Sequence, residues 1–481
     1  MVSLSNHEPL MRYDPLMHFI QRRERLLGTL ERPVVLFAGG LRGRNYTANP
    51  YAYRADSNFL YFFERPEPGS AALFDPADKS VTLFLPARSL DDVIWHGELE
   101  SFAAAQKRHG VTAVLDVEQL ETHLAKLGKG RQLSALAVAD HNALYRARAI
   151  TGEDLSFDDD ARYGLWAVMN AIAQLRLIKG PEELAEMRKT AKITHEAHVA
   201  AIKASKPGVT EQALMGHVEG TFAKYGCVPA YLTILSVRSE VLHNHAHDKV
   251  LQSGDVMLLD GGAEDSTTGY CSDVTRCWPV GGPFTAEGRD VYDTVLKAQE
   301  ASIAAVKPGV RFRDLHLQSA KVMAEGLVSM GLLKGNVDSL VESGAHAVFF
   351  PHGLGHQIGL DVHDMESFGD RVHYPNGRTR SAQFGTKYLR MDLDLAEGMT
   401  FTIEPGVYFV PAILRSPEIQ KQFKGQVDFE KAEKFLAMNQ GRGFGGIRIE
   451  DDVLCTKAGI EVLTASIPKK RTEIESLVGT A

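Results

Sequence analysis

Cysteine is scarce in this chain, with four in 481 residues. They are Cys227, Cys271, Cys277 and Cys455, and no pair has CxxC spacing, which excludes a structural zinc knuckle. So low a count fits a reducing compartment rather than a disulfide framework. Cys271 and Cys277 flank Asp273, where a thiol metal ligand competes with the plainer reading of two small buried side chains. Long apolar runs are also missing, and no stretch approaches the roughly 18 residues that span a bilayer. The segment MVSLSNHEPLMRYDPLMHFIQRRERLL lacks an apolar centre and carries acids and prolines, unlike a secretory signal peptide. Runs of basic residues are absent as well. With a net charge of -8 and scattered Lys and Arg, no nucleic-acid partner and no membrane partner is expected. Hydrophobic residues make up 44% and charged residues 24%, an ordinary globular balance that suits a cytoplasmic enzyme of two or three domains.

What is present reads first as an α/β domain. Residues 15–30 have a helical pattern stopped by Pro33, and 34–38 read as a short buried strand. Residues 58–63 are aromatic-rich and predict a strand. Two apolar stretches, 71–74 and 81–85, flank the turn-rich DPADKS and predict a hairpin. Helical patterns follow near 98–109 and 160–178. A boundary falls near Ile178–Pro181, dividing the chain into domains 1–170 and 171–481. Pro181 suits a first helical turn, and the two glutamates behind it favour the positive helix end. That helix ends at KPGV, 206–209. A second KPGV, 307–310, ends a helix over roughly 289–306. Another helical pattern follows each, so an internal duplication of helix, turn and helix is expected. Strands are predicted over 256–261, 399–403 and 446–454. Alternation puts Arg448, Glu450 and Asp452 on one face of the last strand and Ile447, Ile449 and Asp451 on the other. Segments 364–398 and 410–443 read as surface loops or insertions.

Five residues carry the chemistry. Asp260, Asp273, Glu404 and Glu450 each sit in an otherwise apolar or glycine-rich frame, and His356 lies in PHGLGHQIGLDVHD. One strand-end acid is ordinarily a solvated charge. Four in apolar frames with one imidazole are a donor set for two divalent cations, because four negative charges balance two doubly charged ions. Hard oxygen ligands suit manganese, cobalt, iron or magnesium better than a thiolate zinc site does. Two such ions about 3.5–4 Å apart activate water near neutral pH and polarise a carbonyl. His352 and His356 have the spacing of a helical zinc pair, but Gly353 follows the first where a zincin needs Glu. The two glycines of HGLGH instead suggest backbone passing close to a ligand. His243, His245 and His247 share one face if their segment is extended, with His243 pointing inwards. A surface metal-binding tract is the alternative. His363 could donate a proton or hold a tetrahedral intermediate.

These segments resemble the pita-bread metallopeptidases, the family of aminopeptidase P, prolidase and methionine aminopeptidase. RRERLLGTL, YRADSNFLYFFERPEPGSAALF and DDVIWHGELES are similar to the aminopeptidase P N-terminal domain, which leaves the proline-specific branch. The resemblance implies an α/β N-terminal domain followed by a pseudo-two-fold α+β catalytic domain, and a homodimer. It implies two divalent metal ions, manganese first, with cobalt, iron and zinc as alternatives. Asp260, Asp273, His356, Glu404 and Glu450 match the family's metal ligands, with Asp273 bridging. Glu404 also matches the proton shuttle. His243 and His363 match histidines that contact substrate or intermediate, and His352 and Arg448 match supporting positions. Arg390 stands where prolidases keep an arginine for the dipeptide's free carboxylate, a group that a guanidinium clamps bidentately.

The resemblance favours an Xaa-Pro dipeptidase, with aminopeptidase P acting on longer peptides as the alternative. A metal-free binding protein or a creatinase-like hydrolase is more remote, because all five ligands are present. Phosphotriester hydrolysis is a further activity that such a site could support. Three departures stand out. The spacer between Asp260 and Asp273 is two residues longer than usual, LSVRSEVLHNH replaces a glycine-rich stretch, and AEGM replaces PGM.

Overall fold

A computed structural model of the chain describes residues 15–98, 100–127 and 131–481. The start of the sequence, on which the signal-peptide reading rests, lies outside them. The chain divides into two compact units, Met1–Leu175 and Arg176–Ala481.

The first unit is built on a five-stranded mixed sheet. Its strands are β1 (Val34–Phe37), β2 (Ala71–Asp75), β3 (Ser80–Leu85), β4 (Ala113–Asp116) and β5 (Ser134–Ala135). Their order is β4-β3-β2-β1-β5. The expected hairpin is β2–β3, antiparallel with Phe74 opposite Val81. Helices Pro15–Leu27 and Phe102–His109 fall where their patterns placed them, and Trp166–Leu177 spans the division between the units. Residues 58–63 do not form a strand. Residues 58–62 belong to the helix Ser57–Phe62, with Phe63 as its extended C-cap, and its N-terminus is capped by the Asp56 carboxylate accepting from the Asn58 and Phe59 N–H groups. All six of its residues are buried, so no alternating exposed face selects a strand, and the cap decides the outcome.

The second unit repeats a helix pair. Pro181–Ala204 packs with Glu211–Lys224, and Ala286–Ala304 with Phe312–Ser329, each pair joined at a KPGV turn. The first helix starts with Pro181, and the Glu183 carboxylate accepts the Gly180 N–H at 2.8 Å. Beneath the helices lie short antiparallel strands: β6 (Cys227–Pro229), β7 (Ile234–Ser236), β8 (Val256–Asp260), β9 (Ala263–Asp265), β10 (Thr275–Pro279), β11 (Thr400–Ile403), β12 (Gly406–Tyr408), β13 (Gly446–Arg448), β14 (Asp451–Thr456) and β15 (Gly459–Val462). They pair as β10-β8-β7, β11-β14-β15, β12-β13 and β6-β9. The expected strand over 446–454 is therefore two. It changes partner from β12 to β11 at Ile449–Glu450, and the Glu450 N–H turns to the Thr275 carbonyl at 3.1 Å.

The two supposed surface insertions are anchored inside. In 364–398, Met365, Phe368, Tyr374, Leu389 and Met391 are buried. In 410–443, the Phe435 ring stacks on Phe409 at 4.0 Å, so short helices there extend the core. Among the described residues no helix is long and apolar enough to cross a membrane.

Candidate metal centre

Strand pairing brings the five candidate ligands together. Asp260 ends β8 and stands opposite Thr275 of β10, two residues beyond Asp273. The chain between them crosses itself at Gly262, where a Cβ would lie 1.7 Å from the Ser272 carbonyl oxygen, so only glycine fits. The long spacer is absorbed by β9 and a turn in which the Asp265 carboxylate caps the Thr267 and Thr268 N–H groups. A second crossing sets His356 beside Glu404. There Gly355 passes so close to β11 that a Cβ would sit 2.0 Å from the Thr402 carbonyl oxygen. Thr402 Oγ1 accepts the His356 N–H at 3.1 Å, and the Leu354 carbonyl accepts the Glu404 N–H at 2.8 Å. The glycines of HGLGH thus admit neighbouring backbone rather than a ligand.

Asp273, His356 and Glu450 offer donor atoms within 4.8 Å of one another, and all three are buried. His356 Nε2 lies 3.4 Å from Asp273 Oδ2 and 3.6 Å from Glu404 Oε1. Asp260 joins through Tyr231, whose hydroxyl donates to Asp260 Oδ1 at 2.5 Å and also to Asp273. Burial and the neighbouring acids push Glu450 well above the carboxylate range. Burial raises Glu404 to about 7 and Asp260 to about 6 against the opposing pull of His356 and Arg448. Burial alone would lower His356, but Asp273 and Glu404 push it up to about 9. Buried acids that repel one another this strongly fit positively charged occupants.

The alternation on the last strand survives its break. Arg448, Glu450 and Asp452 all face this cluster. Arg448 donates to Asp260 Oδ2 at 2.5 Å, to Thr275 Oγ1 at 3.0 Å and to the Tyr408 hydroxyl at 2.8 Å. Thr275 in turn donates to Glu450 Oε2 at 2.6 Å. Asp452 accepts the Asp273 N–H at 3.0 Å. Asp451 faces the other way, where Arg276, Gln299, Thr464 and Lys469 surround it. His352 bonds the Tyr408 hydroxyl at 3.0 Å, and burial with the Arg448 charge drives it down to about 3, a neutral ring.

The other predicted residues lie near the cluster. His363 packs edge to face on His356, with ring centroids 4.4 Å apart, and burial and the His356 charge hold it far below the usual range. His243 lies at a turn rather than on a strand. A turn at 242–243 replaces the expected strand, leaving His243 and His245 exposed, while His247 Nδ1 bonds the Leu235 carbonyl at 3.0 Å. His243 is still lowered, first by partial burial and then by Arg448 and Arg390, so it lies in their field. Arg390 donates through Nη1 to Glu366 at 2.8 and 3.0 Å. All four cysteines are buried and free, and neither Cys271 nor Cys277 joins the converging group.

Several contributors escaped the sequence reading. Tyr231, Thr275 and Tyr408 are neutral, and nothing in their local pattern marks them. Arg176 read only as part of a helix and Lys179 as part of a domain boundary, yet both ion-pair with the buried Asp364, at 2.6 and 3.1 Å, and anchor the loop that carries His363.

Residues 185–457 match the model of metallopeptidase family M24, and residues 19–136 match the aminopeptidase P N-terminal domain. The chain belongs to metallopeptidase family M24. It is similar to the Xaa-Pro aminopeptidase of Escherichia coli, 33% identical over 445 residues, which cover 90% of each chain. It is also similar to the human Xaa-Pro dipeptidase, 32% identical over 483 residues, 96% of this chain and 93% of that one. Zinc-substituted E. coli aminopeptidase P in complex with product superposes with a TM-score of 0.77 at 30% identity, covering 96% of this chain and 98% of that one. This M24 chain is therefore a metallopeptidase with an aminopeptidase P N-terminal domain and a pita-bread catalytic domain. Family membership implies divalent metal ions, which the buried Asp–His–Glu cluster fits.

Proposed function

We propose that the chain hydrolyses the peptide bond before proline, using Asp260, Asp273, His356, Glu404 and Glu450 to hold two divalent cations, manganese first. The observation that carries this reading is the convergence of buried Asp273, His356 and Glu450, with Glu404 3.6 Å from His356 and Asp260 joined through Tyr231. Cations held there supply Lewis acidity, making water a nucleophile near neutral pH and polarising the scissile carbonyl. The protein's own groups do the rest. Glu404 Oε takes a proton from water and passes it to the proline nitrogen as the bond breaks. His363 and His243 orient the peptide and stabilise the tetrahedral oxygen. His352 and Arg448 keep the Tyr408–Asp260 side of the cluster in place. A reducing, cytoplasmic setting suits four free buried cysteines, and a homodimer is the expected assembly.

On substrate length, Arg390 supports Xaa-Pro dipeptides, because a guanidinium in the field of His243 and His363 can take a free carboxylate. A second reading, removal of the first residue from longer Xaa-Pro peptides, is favoured by Glu366, which already holds that guanidinium. Assays with manganese on Ala-Pro, Gly-Pro and Arg-Pro-Pro separate the two. Faster turnover of both dipeptides is expected. Turnover of the tripeptide with none of the dipeptides would remove the dipeptidase reading.

A further inference from the structure

Arg390 lies beside the cleft that holds His243, His356 and His363, each of which feels its charge. A carboxylate already sits on it. Both oxygens of Glu366 accept from a single nitrogen, Nη1, at 2.8 and 3.0 Å. Glu366 also lies 3.6 Å from His363 Nδ1.

Glu366 is not a loosely placed surface charge. Two residues earlier, Asp364 is buried and ion-paired to Arg176 and Lys179. Met365 between them is buried and held at φ 62, in the left-handed region that non-glycine residues rarely enter. The Met365 carbonyl is bonded to the buried His373 ring at 3.1 Å. Phe368 closes the same turn inside the core. The fold therefore delivers the Glu366 carboxylate to Arg390 from a fixed backbone.

We propose that Glu366 sets the length preference of the site by competing for Arg390 with the free carboxylate of an Xaa-Pro dipeptide. The proposal rests on the reading of the site as a peptidase acting before proline. With Glu366 in place, Arg390 presents no net positive charge to an incoming anion. A dipeptide must displace Glu366 or share the guanidinium with it. A longer peptide has a neutral peptide group after proline and has no such competitor. Both partners are about a third exposed, so the pair is screened and weak enough to exchange.

The test compares Ala-Pro with Ala-Pro-Ala on the manganese-loaded full chain and its Glu366→Gln variant, which keeps the side chain's size. The ratio of kcat/KM for Ala-Pro over Ala-Pro-Ala is expected to rise roughly threefold to fivefold, mainly through a lower KM for Ala-Pro. Adding Arg390→Met to Glu366→Gln should erase that gain. An unchanged ratio overturns the proposal. So does a fall in Ala-Pro turnover, which would make Glu366 a support that holds Arg390 in place. If the parent chain cleaves neither peptide, the peptidase reading itself fails, an outcome distinct from an unmoved ratio.

Discussion

Glu404→Gln is expected to hydrolyse Ala-Pro about 100- to 10,000-fold more slowly than the parent chain, with the loss in kcat rather than KM. Among the four clustered acids Glu404 is the one that reaches the cleft, its side chain 17% exposed against 6% for Asp273 and 11% for Asp260. Burial first, and then Asp273 and Asp260, lift it to about 7 in the metal-free cluster against the pull of His356 and Arg448, and a carboxylate there can carry a proton. Glutamine keeps the volume and one oxygen but cannot carry that proton. The variant also removes one of four mutually repelling acids. Stripped of metal, it should therefore melt no lower than the stripped parent, a trade of stability against activity common at such sites. Steady-state kinetics and thermal melts check both parts. A kcat within tenfold of the parent would place the proton carrier elsewhere.

Arg276→Met is expected to cost about 3–5 kcal/mol of stability, the range for breaking a buried ion pair by removing one partner. Arg276 and Asp451 are both fully buried, with Nη2 2.7 Å from Asp451 Oδ1. The same guanidinium donates to the Glu450, Thr275, Ile467 and Pro468 carbonyls. Burial alone would raise Asp451, but Arg276 first and then Lys469 hold it down at about 2, so removing Arg276 takes away the largest influence that keeps it charged. Methionine fills the space and satisfies none of these groups. Because Arg276 fixes the peptide of Glu450, manganese affinity should also fall about 10- to 100-fold, the usual effect of losing a group that orients a ligand. Urea unfolding and the manganese concentration for half-activation measure the two effects. A stability loss under about 1 kcal/mol would mean that Lys469, Gln299 and Thr464 alone support Asp451.

Much of the site was legible in the sequence because buried charge is costly. Acids framed by LLDGGAED, CSDVTRCWP, TIEPGVYF and GGIRIEDDV had to be paired with something, and the fold sets all four around His356 and Tyr231. Period-two alternation also placed Arg448, Glu450 and Asp452 on the face that meets the acid cluster, even though the strand changes partner between them. What escaped was set by distant contacts. Tyr231 joins Asp260 to Asp273 only because β8 and β10 pair beside it, and a neutral tyrosine leaves no trace in a charge pattern. Lys179 looked like the edge of a linker because its partner, Asp364, lies far along the chain. Residues 58–63 misled for a local reason, since aromatic content argues for a strand while the Asp56 cap starts a helix. The period-two reading of His243, His245 and His247 does not apply, because a turn at 242–243 replaces the extended segment it assumed.

The account stands or falls on whether this cluster binds cations that switch on cleavage before proline. The direct measurement is a manganese titration of the metal-stripped chain, following Ala-Pro hydrolysis with Ala-Ala as control. Activity on Ala-Pro should be absent without metal, rise with manganese and saturate near two ions per chain, with Ala-Ala left intact. Full Ala-Pro hydrolysis by the stripped chain, or none at any manganese concentration, would contradict it.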